Sequence, residues 1–260
     1  MLHVKNGMIH DGIHQEAFCA DILVEEGKIK AIGKNLEVPE GAETVDAEGL
    51  SVYPGFVEAH GHIGLDGYGI GYEGMDYNEM NDILSPQMRG IDGVKPLDPA
   101  LPKAAAAGVT CVCVGPGSAN VLGGTFTTIK TVGRRVDDMV VRDGVAMKCA
   151  FGENPKRVYR DKRDSSRMTT AALLREILFK AREYMEKKEA AGDDLSKRPS
   201  FDIKLEALLP VLRREIPLKA HAHAAEDIFT ALRIAKEFGV KITLEHVTEG
   251  HLIVEELAEE

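Results

Sequence analysis

The sequence lacks the features that mark membrane, secreted and nucleic-acid-binding proteins. No apolar run among its 260 residues approaches the ~20 that a membrane helix needs, and the start, MLHVKNGMIHDG, has neither the basic nor the long apolar segment of a signal peptide. Its 4 cysteines form no disulfide-like framework, which predicts a reducing, cytoplasmic location. The formal net charge is −10 and no basic stripe is present, so we expect no nucleic-acid partner and no membrane partner.

The composition is that of an ordinary globular protein, 44% hydrophobic and 28% charged. The sequence divides into two segments with different secondary-structure patterns. Residues 1–52 predict a small, partial β-sandwich-like unit, with hairpins around Asn6-Gly7 and Glu26-Gly27. From Tyr53 onward, apolar strand candidates alternate with segments of helical spacing, which favours a parallel sheet with crossover helices. We therefore predict an α/β fold in which residues 53–260 form a (β/α) TIM-type barrel, incomplete in this chain.

The expected barrel strands number five or six. They lie near residues 53, 109, 144, 217 and 240, with one more possible around Phe201–Leu205. The glycine-rich stretch Gly115–Gly124 is predicted as a loop or tight turn at a strand end, although it lacks the Gly-Lys-Ser/Thr ending of a P-loop. Strands one to about six leave an eight-stranded barrel open.

Histidines stand at the ends of three of these strands. The apolar run VYPGFVEAHGH ends in His60 and His62, LKAHAH carries His221 and His223, and KITLEH ends in His246. In a strand, residues i and i+2 point to the same face, so each close pair offers two imidazoles together. Because functional side chains of a barrel collect at the C-terminal ends of its strands, the pattern predicts a metal centre there.

These motifs carry a resemblance to a known family. The run VYPGFVEAHGH resembles the first-strand metal motif of the amidohydrolase superfamily. The segments GENPKRVY and AHAHAAEDIFTALRIAKEFGVKITLEH resemble its imidazolonepropionase-like branch. The resemblance covers essentially the whole chain, including the N-terminal β unit. It implies a hydrolase that uses Zn²⁺ or another divalent metal, as one or two ions, and no organic cofactor.

The resemblance also implies roles for the histidines. His60 and His62 match the first metal pair, and His221 matches the fifth-strand ligand, with His223 as its alternative. His246 matches the sixth-strand histidine, which is a metal ligand in two-metal members and a catalytic residue that contacts the attacking water or substrate in one-metal members.

A bridging ligand between two ions is expected from one of two residues. Two-metal members of the superfamily use a glutamate or a carboxylated lysine at this place. The candidates are Glu153, which follows a strand directly and is favoured, and Lys148, which lies within the strand VAMKCAF. The third alternative is that neither residue fills this role.

The function that the resemblance implies is hydrolysis of a carbon–nitrogen bond, other than a peptide bond, in a small cyclic or linear amide, with metal-bound hydroxide as the nucleophile. Two alternatives stay open: a one-metal deaminase, and a catalytically incompetent, C-terminally truncated fragment, because the superfamily draws its general base from an eighth-strand aspartate. The substrate cannot be read from the sequence, and a homo-oligomer is left open.

Overall fold

The computed structural model describes residues 1–162 and 165–260, and these form two compact units, Met1–Phe56 and Val57–Glu260. The strands are β1 Leu2–Ile9, β2 Phe18–Glu25, β3 Lys28–Gly33, β4 Glu43–Asp46, β5 Ser51–Val52, β6 Phe56–Gly61, β7 Val109–Val114, β8 Leu122–Lys130, β9 Val140–Ala150, β10 Leu218–Ala222 and β11 Ile242–His246. The α-helices are α1 Ala100–Ala106, α2 Val136–Met139, α3 Glu153–Tyr159, α4 Arg167–Ala191, α5 Ile203–Leu212, α6 Ala225–Phe238 and α7 Val254–Ala258.

The first unit is a small sheet in the order β3-β2-β1-β4, with β5 also paired to β1. The predicted hairpin at Glu26-Gly27 is present, and both turn residues have the positive φ, 50° and 73°, that a tight hairpin requires. The hairpin predicted at Asn6-Gly7 is wrong. There β1 continues through a bulge between Val4 and Gly7, because Asn6 absorbs a φ of 61° without reversing the chain.

The second unit is built on a six-stranded sheet in the order β11-β10-β9-β8-β7-β6. The strands β9, β10 and β11 are parallel to one another, as the strand–helix alternation predicts. The strand β8, however, runs antiparallel to both β7 and β9. The observed sheet is therefore mixed rather than wholly parallel, and it belongs to the α/β class.

Two sequence predictions in this unit need correction. The end of the glycine-rich stretch, Leu122–Gly124, is not loop but the start of β8, where buried apolar residues such as Leu122 and Phe126 hold the strand against the core. The strand considered around Phe201–Leu205 is instead the beginning of α5. Asp202 caps that helix by accepting hydrogen bonds from the backbone N–H groups of Lys204 and Leu205 at 2.9 and 3.1 Å, which favours a helix start over a strand.

The helices α4, α5 and α6 bury one face of the parallel strands. Leu174, Leu178, Leu208 and Ile228 come from these helices and belong to one core cluster with Leu218 and Ala220 of β10. This packing leaves the opposite face of β9 and β10 for other side chains. No helix among the described residues is both long and apolar enough to cross a membrane.

Candidate metal centre

The candidate site lies where β6, β10 and β11 end. His60 is the penultimate residue of β6 and His62 follows the strand directly, while His221 lies near the end of β10 and His246 is the last residue of β11. A strand end positions its side chains accurately, because neighbouring strands fix the strand along its length. The three strands thus deliver four imidazoles that come from distant parts of the sequence.

The four imidazoles lie side by side. The ring centroids of His60 and His62 are 5.6 Å apart, those of His60 and His246 are 5.3 Å apart, and those of His221 and His246 are 4.7 Å apart. With a metal–nitrogen bond of about 2.1 Å and tetrahedral angles, the centroids of two imidazoles on one ion lie about 5 Å apart. The observed spacing is therefore that of histidines which share one ion or two adjacent ions.

The ring orientations differ from those of an assembled site. In the described ranges 1–162 and 165–260, no group of three or more His, Cys, Asp or Glu side chains has its donor atoms arranged to hold a metal ion. The backbone largely sets the spacing of the rings, whereas the χ2 torsion of histidine, which sets where the nitrogens point, is broad.

His62 is held in one tautomer. Its Nδ1 lies 2.8 Å from the carbonyl oxygen of Gly115, which can only accept a hydrogen bond, so Nδ1 carries the proton and Nε2 keeps its lone pair. The ring also stacks on Tyr77, with centroids 5.3 Å apart. Burial lowers the pKa of His62, which keeps the ring in the neutral form that binds metals.

His221 is the most strongly perturbed histidine. Burial and the nearby Lys148 and His246 lower its pKa to about 3, so the ring is neutral at physiological pH. Its Nε2 lies 3.0 Å from the side-chain amide nitrogen of Asn154, and its buried Nδ1 has no hydrogen-bond partner. A buried nitrogen without a partner is unfavourable unless a further group satisfies it.

Lys148 reaches the same region from β9. Lys148 is fully buried and its Nζ has no hydrogen-bond partner. That nitrogen lies 5.9 Å from the centre of the Phe126 ring, and the Phe126 and His60 ring centroids are 5.3 Å apart. Burial lowers the pKa of Lys148 to about 8, and its charge acts on His62 and His221. An unpaired ammonium in such a place is costly, so burial makes the neutral amine accessible nearer to neutral pH than it is in an exposed lysine.

Glu153 has a different partner. Its carboxylate accepts a hydrogen bond of 2.5 Å from Arg167, and 61% of its side chain is exposed. The pKa of Glu153 is lowered by a backbone hydrogen bond and by Arg167. The structure therefore joins Glu153 to an arginine rather than to the histidines, which weakens the sequence-based preference for Glu153 as the bridging ligand.

His223, the alternative to His221, lies at the border of the cluster. Its ring stacks on that of His246 at 5.2 Å and lies 4.6 Å from that of His221. Its Nδ1 lies 2.6 Å from the hydroxyl oxygen of Thr248. His221 is buried, whereas His223 is less so, and the charge of Lys148 helps to lower the pKa of His221.

The sequence reading missed two residues of this region, Lys219 and Glu245. Lys219 donates a hydrogen bond of 2.7 Å to Glu245, whose other oxygen lies 2.8 Å from Nδ1 of His60. Burial alone would raise the pKa of Glu245, but His60 and Lys219 outweigh it and lower this pKa to about 2. Lys219 could have been found from the sequence, because it stands two residues before His221 and so shares its face of the strand.

A cleft of about 940 Å³ opens beside His62. Tyr77, which stacks on His62, contributes to its wall together with Asn78, Lys95 and Lys162. Clefts of this size hold small molecules. The histidine cluster therefore stands next to a space that can admit a substrate.

Comparisons with known proteins identify the family of the chain. No protein-family model matches the chain. An amidohydrolase from Thermotoga maritima, known from its crystal structure, is 43% identical, with a TM-score of 0.93 over 100% of this chain and 68% of the other. The chain belongs to the amidohydrolase superfamily. The imidazolonepropionase-like branch within it stays a prediction.

Two further relatives match in sequence. Amidohydrolase tasK of Hapsidospora irregularis is 31% identical over 270 residues, which cover 94% of this chain and 27% of tasK. The dihydroorotase of Aquifex aeolicus is 53% identical over 62 residues, or 24% of this chain and 14% of that enzyme. The chain thus spans about a quarter of the length of tasK, and the match to the dihydroorotase covers a smaller share still.

Proposed function

We propose that the chain is a metal-dependent hydrolase that cleaves a carbon–nitrogen bond in a small cyclic or linear amide. One observation carries the proposal: buried nitrogens of His60, His221 and Lys148 without hydrogen-bond partners lie together at the strand ends. Histidine nitrogens are usual ligands of Zn²⁺ and similar ions, and a lysine amine becomes a ligand group once it carries a carbamate. Membership of the amidohydrolase superfamily, and the names of the relatives, support the same reaction class.

His60, His62, His221 and His246 would hold the metal. The proton on Nδ1 of His62 is fixed by the Gly115 carbonyl, and the low pKa of His221 keeps that ring neutral, so both rings are prepared as ligands. A bound divalent ion supplies a hydroxide at neutral pH by lowering the pKa of a coordinated water from about 15.7 to about 7. His246 would face either the ion or the attacking water.

We favour Lys148 over Glu153 as the ligand between two ions. The neutral amine of Lys148 can add to carbon dioxide, forming an N–C bond and releasing one proton, and the resulting carbamate offers two oxygens. Full burial and the absence of a partner for Nζ support this choice, since the carbamate would have ligands where the ammonium has none. Glu153, in contrast, already pairs with Arg167.

Metal analysis and turnover test the proposal. We expect purified, zinc-loaded chain to hydrolyse at least one compound in a panel of cyclic amides, N-acyl amino acids, dipeptides and amino-azines. Turnover should be abolished by a chelator and by His60→Ala, while exposed His251→Ala serves as the matched control. Lys148→Ala should lose at least one ion, and Glu153→Ala should keep the wild-type number.

Three outcomes would count against the proposal in different ways. A chain that binds no zinc would contradict the metal centre. A chain that binds zinc but turns over nothing would contradict hydrolysis by this chain. Loss of an ion in Glu153→Ala with full retention in Lys148→Ala would return the bridging role to Glu153.

A further inference from the structure

Three largely buried polar side chains form a line across three strands. Nζ of Lys219, on β10, donates to Oε1 of Glu245, on β11, at 2.7 Å. The other carboxylate oxygen, Oε2, lies 2.8 Å from Nδ1 of His60, on β6. The strands β11 and β6 are at opposite ends of the strand order, so this contact joins the two edge strands of the sheet.

Burial makes the pairing necessary. The exposed fraction of the side chain is 10% for Lys219 and 13% for both Glu245 and His60. Removing a charge from water to such an environment is unfavourable unless an opposite charge and hydrogen bonds compensate it. Lys219 supplies the charge that Glu245 needs, and Thr243 adds a hydroxyl hydrogen bond of 3.0 Å to the same oxygen. Oε2 of Glu245 is left for His60.

The contact decides where His60 carries its proton. A carboxylate with Lys219 beside it is ionised and only accepts hydrogen bonds, so Nδ1 of His60 must be the protonated nitrogen. The approach at 2.8 Å lies outside the angles of a good hydrogen bond, and Nδ1 has no other partner. The terminal torsions of His and Glu are broad, so a small rotation aligns the two groups. Nε2 of His60, which is buried and without a partner, keeps its lone pair.

The chain places Glu245 on the correct face for this task. Register pairs Glu245 with His221 and Lys219 with Lys148, so all four side chains stand on one face of the parallel strands. That face is the one that carries the histidine cluster. Glu245 therefore approaches His60 on the Nδ1 side of the ring, while Nε2 remains for the metal.

We propose that Glu245, held by Lys219, is the positioning residue that fixes the tautomer and ring orientation of His60 for metal binding. The inference rests on the proposed metal centre. A carboxylate behind a metal-binding histidine raises the basicity of the ligand and removes its rotational freedom, and loss of such a partner weakens metal binding about 10- to 100-fold.

The test measures zinc affinity in the full chain, by competition with a chromophoric chelator, alongside the unfolding midpoint. We expect Glu245→Ala to weaken zinc binding about 10- to 100-fold. Glu245→Gln, which keeps an acceptor oxygen, should weaken it less, and Lys219→Met should fall between the two. Exposed Glu256→Ala, which makes the same change in charge away from the cluster, should leave the affinity unchanged.

Spectra of ¹⁵N-histidine in the zinc-loaded protein give a second readout. In wild type, the signal that His60→Ala removes should show a protonated Nδ1. That signal should broaden or change tautomer in Glu245→Gln. This measurement keeps the inference testable even if Glu245→Ala fails to fold.

Each alternative has its own signature. If Glu245 only clamps the edge strands together, Glu245→Ala lowers the unfolding midpoint and leaves the zinc affinity of the folded chain unchanged, which overturns the inference. If Glu245 is itself a metal ligand, Glu245→Gln loses as much affinity as Glu245→Ala, which also overturns it. If wild type binds no zinc, the proposed function fails and the inference fails with it.

Discussion

His246 stands in an unusual backbone conformation. Its φ is 72° and that of Val247 is 47°, both in the left-handed region that costs a residue with a side chain about 1–2 kcal/mol. Register pairs His246 with Ala222, on the opposite face from Glu245. The left-handed backbone turns its ring back toward His60 and His221, so consecutive residues Glu245 and His246 both reach the cluster.

Gly124 is a second residue whose backbone limits substitution. Its φ is 113°, and a Cβ there would lie 2.4 Å from the carbonyl oxygen of Met88. We expect Gly124→Ala to lower the free energy of unfolding by about 2–5 kcal/mol, the sum of backbone strain and overlap. Urea denaturation measures this change.

Gly192 provides the matched control. It also has a positive φ, 51°, but nothing lies within 4 Å of the Cβ that alanine would add. Gly192→Ala should therefore lose only the backbone part, about 1–2 kcal/mol. Equal losses in the two variants would show that the contact with Met88 relaxes freely.

At the residue scale, the sequence predicts some members of the cluster better than others. The period of two along a strand is enough to place Lys219 with His221, and the strand VAMKCAF marks Lys148 as a lysine in a buried setting. The same period would turn His246 away from a site that Glu245 faces. His246 is singled out by its place at the end of the strand KITLEH and by the resemblance to a family, because a left-handed residue at a strand end leaves no periodic signal.

At the scale of elements, one polar cluster ties α4 to α5. Glu206 on α5 accepts hydrogen bonds from Tyr184, at 2.9 Å, and from Lys188, at 2.6 and 2.8 Å, both on α4. Burial alone would raise the pKa of Glu206, but Lys188 and Tyr184 outweigh it, and the pKa lies below its ordinary 4.5. Both helices cover the parallel strands that carry the site.

This cluster predicts a pH-dependent share of stability. A carboxyl whose pKa is lower in the folded state stabilises fully above its unfolded pKa, and the contribution disappears as pH falls through the folded pKa. Because Glu206 and Lys188 are about one third exposed, solvent screens the pair, and we expect Glu206→Gln to lose about 0.5–1 kcal/mol at pH 7. The difference from wild type should shrink from pH 4.5 downward.

Urea titrations at pH 7 and at several acidic values measure this difference. Exposed Glu186→Gln, on helix α4, which also carries Lys188, controls for the change in net charge and should have little effect. A difference between wild type and Glu206→Gln that stays constant into acid would contradict the pKa shift.

Elements with strong local signals are those that the sequence predicts well. The helix α6 has a wide apolar face and ends at Gly239, whose φ of 66° is the left-handed C-terminal cap expected there. The strand β8 was hidden, because its glycines signal a turn while its pairing with β7 and β9 comes from distant parts of the chain. The local sequence around a residue does not show which distant segment it will pair with in a sheet.

On the scale of the whole molecule, the proposed metal centre predicts a ligand-dependent stability. A ligand that binds only the folded state stabilises it by about 2.7 kcal/mol at a free concentration 100 times its Kd. We expect Zn²⁺ at this excess to raise the thermal unfolding midpoint of the wild-type chain, and EDTA to reverse the rise. Differential scanning calorimetry measures both shifts.

His60→Ala should abolish most of the rise, because that ring contacts both His62 and His246. His251→Ala should keep it, since that histidine is exposed. A zinc-induced rise of equal size in His60→Ala would place the ion elsewhere.

The two edge strands of the sheet also set an order of events during synthesis. His60 lies at the beginning of the second unit and Glu245 and His246 lie near its end, yet these side chains meet. At about 5–20 residues per second, a ribosome needs on the order of ten seconds or more to make the chain between them. Until then His60 and His62 lack their partners from β11. Closing the long loop between β6 and β11 is entropically unfavourable before other contacts form. The proposed centre is thus assembled late, and a nascent chain can capture metal correctly only after β11 has emerged.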